Sequence, residues 1–170
     1  MSLSSLHASL LVLCAALGGL GALGCGKEIG DECLIGSDCS PNGDRQCDSS
    51  SKGGYCTVQG CDVSTCPEEA VCVRFFTGSF TNKPCDPVTE DAGADACSLD
   101  ELCSLAGNCV PRSSEIRFCM RTCESDDDCR GGYECRGLEE MKAHGGEPVL
   151  ELGRTIDASV PRFCAAAPSS

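Results

Sequence analysis

Eighteen cysteines in 170 residues constrain this chain more than any other feature. Cysteine at that density either pairs as disulfides in an oxidising compartment or holds metal, and spacing separates the two. Structural zinc sites use a Cys-x2-Cys knuckle or paired histidines at fixed intervals. The sequence contains no Cys-x2-Cys; the nearest approach is Cys119-x3-Cys123, and the one histidine beyond residue 24 is His144. The same absence removes the thioredoxin-type redox motif. A disulfide framework is expected, with no metal and no cofactor.

Residues 1–24 carry no Asp, Glu, Lys or Arg, and an apolar run at residues 10–17 (LLVLCAAL) leads into the glycine-rich stretch 18–24. This is the layout of a secretory signal peptide. It is too short and too rich in glycine for a membrane-spanning helix, which needs roughly 20 apolar residues. The junction Ala22-Leu23-Gly24-Cys25-Gly26 resembles the lipobox of bacterial lipoproteins, in which a cysteine is lipidated before cleavage. That family usually has Leu three residues before the cysteine and a small residue two before; here Ala22 and Leu23 stand there. The resemblance implies a lipid on Cys25. Cysteine parity points the same way: with Cys14 lost in the leader and Cys25 lipidated, sixteen remain, an even number.

The supply of core residues is thin, with no Trp, two Tyr and five Phe. Chains with so little to bury need covalent staples, and each native disulfide stabilises by ~2–4 kcal/mol. A net charge of −13 opposes binding to nucleic acid phosphates or anionic lipid head groups. No nucleic acid partner is expected, and a membrane link would run through the lipid anchor.

The sixteen cysteines read as two sets of eight. The first is Cys33, Cys39, Cys47, Cys56, Cys61, Cys66, Cys72 and Cys85; the second is Cys97, Cys103, Cys109, Cys119, Cys123, Cys129, Cys135 and Cys164. The first seven members of the sets are offset by 62 to 64 residues, the eighth by 79, because residues 136–163 hold extra sequence. The rhythm predicts a small disulfide-rich fold: two tandem cysteine-stapled modules with short hairpins and turns and little regular secondary structure. The expected organisation is a signal peptide (1–24), a lipidated tether (25–32), module 1 (33–85), an acidic linker (86–96) and module 2 (97–164) with an insertion at 136–163. Pairing within each set is the simplest expectation, although eight cysteines allow 105 connectivities.

Strands are predicted at 70–76 (AVCVRFF) and 116–121, with a third at 148–152. A helix at 138–143 should stop at Gly145-Gly146. Thr65 with Glu68 and Ser125 with Asp128 have capping-box spacing and predict a short helical turn in each module.

Candidate chemistry is sparse. Asp126-Asp127-Asp128 and the acids at 86, 90, 91 and 95 lack the alternation and central Gly of an EF-hand, so they read as solvated acidic loops. A nucleophile needs a positioned base, and His144 is the one histidine left to supply it; its place at a helix end suits a capping role. No Gly-x-Ser-x-Gly or His-Glu-x-x-His occurs. No catalytic residue is therefore assigned.

The phrases Gly-Asp-Glu-Cys at 30–33, Gly-Gly-Tyr-Cys at 53–56, Cys-Pro-Glu-Glu-Ala-Val-Cys at 66–72 and Ser-Asp-Asp-Asp-Cys at 125–129 are similar to the cysteine-rich lipoproteins of myxobacteria and their relatives. The likeness covers most of residues 25–135, is one of composition and spacing, and implies export and lipidation without an activity. The expected function is a non-enzymatic cell-envelope lipoprotein, held in the cell membrane or outer membrane, displaying disulfide-stabilised modules to an unknown protein or surface ligand. The alternative is a secreted protease inhibitor or antagonist, with residues 42–46 or 112–116 as the reactive loop.

Overall fold

In the computed structural model, which describes residues 26–78, 80, 83–88, 97–152 and 154–168, all sixteen cysteines from Cys33 onward are joined in eight disulfides. Cys14, Cys25, the expected leader and residues 89–96 of the expected linker lie outside the described residues.

The bonds fall into four quartets, and in each the first cysteine bonds the third while the second bonds the fourth. Cys33–Cys47 and Cys39–Cys56 form the first quartet, and Cys61–Cys72 and Cys66–Cys119 the second. Cys85–Cys103 and Cys97–Cys109 form the third, Cys123–Cys135 and Cys129–Cys164 the fourth. The third and fourth cysteines of every quartet stand directly opposite each other on antiparallel strands: Cys47 and Cys56, Cys72 and Cys119, Cys103 and Cys109, Cys135 and Cys164. Directly opposed residues send their side chains to the same face of a ladder. A loop carrying the first two cysteines is thereby stapled twice to that face.

The strands that carry these pairs are short. β1 (Gln46–Cys47) pairs with β2 (Cys56–Thr57), and β4 (Glu101–Cys103) with β5 (Cys109–Pro111). β3 (Ala70–Phe76) and β6 (Glu115–Arg121) form the longest ladder, extended on the free edge of β3 by β8 (Glu147–Pro148); β7 (Tyr133–Arg136) pairs with β9 (Phe163–Ala166). The described fold is therefore disulfide-rich with little regular secondary structure, as the cysteine content predicts.

The expectation of pairing within each set of eight is corrected. Cys66–Cys119 and Cys85–Cys103 both cross the 86–96 segment. The unit that pairs has four cysteines, not eight, and the third quartet is nested between Cys72 and Cys119 of the second. Three covalently closed regions result: 33–56, 61–119 and 123–164. Single stretches of chain, 57–60 and 120–122, connect them.

What unites the three regions is a shared apolar core. Tyr55 from the first, Val73 and Cys119 from the second, and Tyr133, Met141 and Phe163 from the third are all buried in one cluster with Ile29. Tyr55 is almost completely buried; its hydroxyl donates to the Cys164 carbonyl at 3.2 Å and accepts the Arg121 N–H at 3.0 Å. Thr57 donates from its hydroxyl to the Cys119 carbonyl at 2.8 Å. Buried polar groups that find such partners avoid a desolvation penalty of about 1–3 kcal/mol each. Glu147, 3% exposed, accepts from Arg74 Nε at 2.9 Å, pairs with its Nη2 at 2.8 Å, and accepts the Leu105 N–H, which ties the nested quartet to β3.

Local expectations fare unevenly. The 70–76 strand has the predicted bounds, and the 116–121 strand gains one residue at its start. Helix α2 (Leu138–His144) follows a short α1 (Gly36–Cys39). It stops at Gly145, whose φ of 81° is a conformation glycine adopts without strain. The predicted 148–152 strand is cut to β8, although Val149 still donates its N–H to the Cys72 carbonyl at 2.8 Å. Beyond it Glu151 and Leu152 are exposed.

The Ser125/Asp128 turn forms as a 3-10 turn over Asp126–Asp128, with the Asp128 carboxylate accepting the N–H groups of Glu124 and Ser125. Asp38 does the same for Leu34 and Ile35. These backbone donors hold both carboxyls below the ordinary aspartate range. The Thr65/Glu68 turn is absent. Thr65 instead bonds backward, its hydroxyl accepting the Asp62 N–H at 2.8 Å, and a turn from Pro67 to Ala70 runs directly into β3.

Candidate binding site

The alternation of β3 and β6 sets up the site. Val71 faces Met120, Val73 faces Phe118 and Phe75 faces Ile116, so one side of the ladder is wholly apolar. The other side carries Arg74 opposite Arg117 and Phe76 opposite Glu115. The middle of the apolar side lies against the core, where Phe75 meets Phe163 edge-on at 6.2 Å and Phe118 at 6.4 Å. Its β6 half is not fully covered.

A cavity of about 310 Å³ remains there, between the ladder and the first quartet. Phe75, Ile116, Phe118 and Met120 form its apolar floor. Tyr55 and Thr57 close it from the β2 side, Asp48 and Ser51 from the β1–β2 turn, and Phe76 with Thr77 from the end of β3. Its size falls at the lower end of the range for small-molecule sites, and its lining is mostly apolar with a few polar groups.

Asp48 is its one charged lining residue. The carboxylate accepts the Ser50 N–H at 3.0 Å, the Ser50 hydroxyl at 2.6 Å and the Ser51 hydroxyl at 2.8 Å. Burial pushes its pKa up, but these donors outweigh it and hold the group below the ordinary aspartate range. The turn that presents it is braced from outside: Arg130 donates to the carbonyls of Lys52, at 3.0 Å, and Gly54, and lies over the Tyr133 ring at 4.1 Å. Tyr133 in turn stacks on Tyr55 at 5.5 Å.

A second cavity, of about 350 Å³, lies beside the start of β3, lined among others by Val71, Val149, Leu150, Glu151 and Arg154. Its acid and base offset each other in charge.

The residues singled out from sequence lie elsewhere. His144 Nδ1 is 2.7 Å from Glu134 Oε1, and Glu134 also pairs with Arg136 at 2.9 Å. Arg136 donates onward to the carbonyls of His144 and Gly145. The set closes the end of α2, and none of its members lines either cavity. Arg112 begins a 3-10 turn (Arg112–Ser114) that leads straight into β6, so residues 112–116 are not an extended loop. In the 42–46 stretch Arg45 is held to the Lys27 carbonyl and to Glu69.

Among the described residues, the groups of three ligand-type side chains that converge are all cysteines, three from each quartet. Their sulfurs are committed to disulfides and offer no thiolate to a metal. The aspartates of 126–128 diverge, Asp126 accepting the Cys135 N–H at 2.7 Å and Asp128 capping its own turn.

Sequence reasoning passed over Asp48 and the floor of the cavity. The available signal was the concentration of three of five phenylalanines, Phe75, Phe76 and Phe118, on two predicted strands.

The chain was compared with protein-family models, with curated proteins and with solved structures, and it matches none of them. Among the described residues no helix is long and apolar enough to cross a membrane. Eight disulfides suit an oxidising environment, extracellular or exported.

Proposed function

We propose that this protein is a non-enzymatic, exported binding protein of the cell envelope, tethered by a lipid on Cys25 and holding a small ligand in the β3–β6 cavity. The observation that carries the binding role is an open apolar cavity fixed on both sides by disulfides. Cys39–Cys56 holds the β2 wall, and Cys66–Cys119 holds the β6 floor. A frame closed in this way keeps its cavity without a large core, and a preorganised site loses little entropy on binding.

Export and lipidation rest on the apolar leader without Asp, Glu, Lys or Arg, the lipobox-like junction and the likeness to myxobacterial cysteine-rich lipoproteins. The even count of sixteen is consistent with Cys25 having a separate fate.

Three measurements test the proposal. Intact mass of the purified protein, before and after reduction, is expected to report a chain beginning at Cys25, a lipid adduct and two hydrogens gained per disulfide. Cys25→Ala is expected to leave the membrane fraction; a variant distributed like the wild type counts against the anchor. Loss of small-molecule binding on filling the cavity with Ile116→Trp, in a variant that retains all eight disulfides, tests the site.

A further inference from the structure

We propose that the β3–β6 cavity takes a small organic cation, an amine or ammonium group on an apolar body, with Asp48 as its counter-ion. This rests on the binding reading above and adds the chemistry of the ligand.

Charge is the first argument. Asp48 is the one charged group among the lining residues; Ser51, Thr57 and Thr77 are neutral, and no Lys or Arg lines the cavity. Among the described residues Asp48 makes no ion pair, whereas its neighbour Arg130 is committed to the Lys52 and Gly54 carbonyls and the Tyr133 hydroxyl. Ser50 and Ser51 engage Asp48 through their hydroxyls and backbone N–H groups, neutral donors that leave its negative charge unpaired, and it is that charge which a cationic ligand would meet.

The walls supply the second argument. Phe75 and Phe118 line the space with no arginine over their rings, unlike Phe76 and Tyr55, which lie under Arg74 and Arg130, and aromatic rings attract a cation through their negative faces. An anion entering the same space would meet Asp48 and no cation among the lining residues, since Arg74 and Arg130 sit over Phe76 and Tyr55 without lining the cavity themselves, so its desolvation is poorly offset. The chain's net charge of −13 acts in the same sense at longer range, drawing cations toward the surface and repelling anions. The cavity's small volume limits the apolar body to about one ring with a short chain.

The test is a titration of the oxidised protein with three probes of one skeleton: 2-phenylethylamine, 2-phenylethanol and 3-phenylpropanoate. Binding is followed by NMR at Ile116, Phe118 and Met120. The amine is expected to bind about tenfold more tightly than the alcohol, since a charged hydrogen bond is the stronger, and the carboxylate is expected to show no binding. Asp48→Asn is expected to abolish the preference, so that amine and alcohol bind the variant equally. Equal affinity of amine and alcohol in the wild type overturns the cation inference and leaves the cavity as a binding site. An amine preference that survives Asp48→Asn also overturns it. If no probe shifts these three residues, the binding reading falls and the inference with it. The wild-type comparison decides the matter even if Asp48→Asn does not fold.

Discussion

Cys72 and Cys119 stand opposite each other in the β3–β6 ladder, yet each is bonded to a different cysteine, Cys61 and Cys66. The two sulfurs on one face of the ladder thus fasten one preceding loop at two points. Because Cys119 lies 53 residues from Cys66, the second bond closes a large loop with the third quartet inside it.

That asymmetry predicts unequal contributions. Closing a longer loop removes more freedom from the unfolded chain, and with the nested cross-links shortening the path, Cys66–Cys119 contributes about 4 kcal/mol against about 3 kcal/mol for Cys61–Cys72. The double substitutions Cys66→Ala/Cys119→Ala and Cys61→Ala/Cys72→Ala leave no lone thiol. Denaturant unfolding of the two variants is expected to rank the first as the less stable.

Gly54 predicts a steric limit. Its φ is +69°, and a Cβ there would lie 1.9 Å from the Cys33 carbonyl oxygen. The clash is with backbone, so Gly54→Ala is expected to cost about 3 kcal/mol or to prevent formation of Cys33–Cys47. Gly43 has a similar φ of +76° and open space around it. Gly43→Ala is expected to cost only about 1 kcal/mol. Thermal unfolding and disulfide mapping of both variants separate crowding from backbone strain.

Tyr55 predicts a loss of stability in alkali. Burial raises its pKa from 10.0 to about 12. A phenol whose pKa is higher folded than unfolded contributes stability that is whole below pH 10 and lost as pH rises toward 12, up to about 3 kcal/mol. Burial raises Tyr133 as well. Since the chain has only these two tyrosines, tyrosinate absorbance reports them directly. The expected trace is a midpoint displaced above 10, with Tyr55→Phe removing most of the pH dependence of stability in that window.

Glu147 predicts coupling between the nested quartet and the main ladder. Replacing it with Ala leaves Arg74 without its partner in a half-buried position and the Leu105 N–H without an acceptor. The expected cost is about 3 kcal/mol, and amide exchange at Leu105 is expected to accelerate more than at Tyr55.

The disulfide-rich class was legible in the sequence because cysteine count, missing Cys-x2-Cys and scarce aromatics all bear on it locally. So were the strand at 70–76 and the helix ending at Gly145, where alternation, propensity and a glycine stop agree. The pairing was not legible. Cys66 and Cys119 are brought together by the β3–β6 register, a long-range match that spacing does not encode. The apparent eight-cysteine period aligned Cys56 with Cys119, and both do close a quartet. It also aligned Cys33, which opens the first quartet, with Cys97, which is the second member of the third. Asp48 was hidden for a related reason: nothing near it in the chain marks it, and the floor of its cavity is made by β3 and β6, which begin 22 and 67 residues downstream.

The three closed regions also decide how the molecule would bear a pull along its length. Between residues 33 and 164 the shortest covalent route follows 33–39, crosses to 56, follows 56–66, crosses to 119, follows 119–129 and crosses to 164. Tension would run through the second-to-fourth bonds of three quartets, and residues 40–55, 67–118 and 130–163 would hang slack beside the taut line. Stretched between those two residues, the chain behaves as a short cable that reaches full extension early, with β3 and most of β6 kept out of the path of the force.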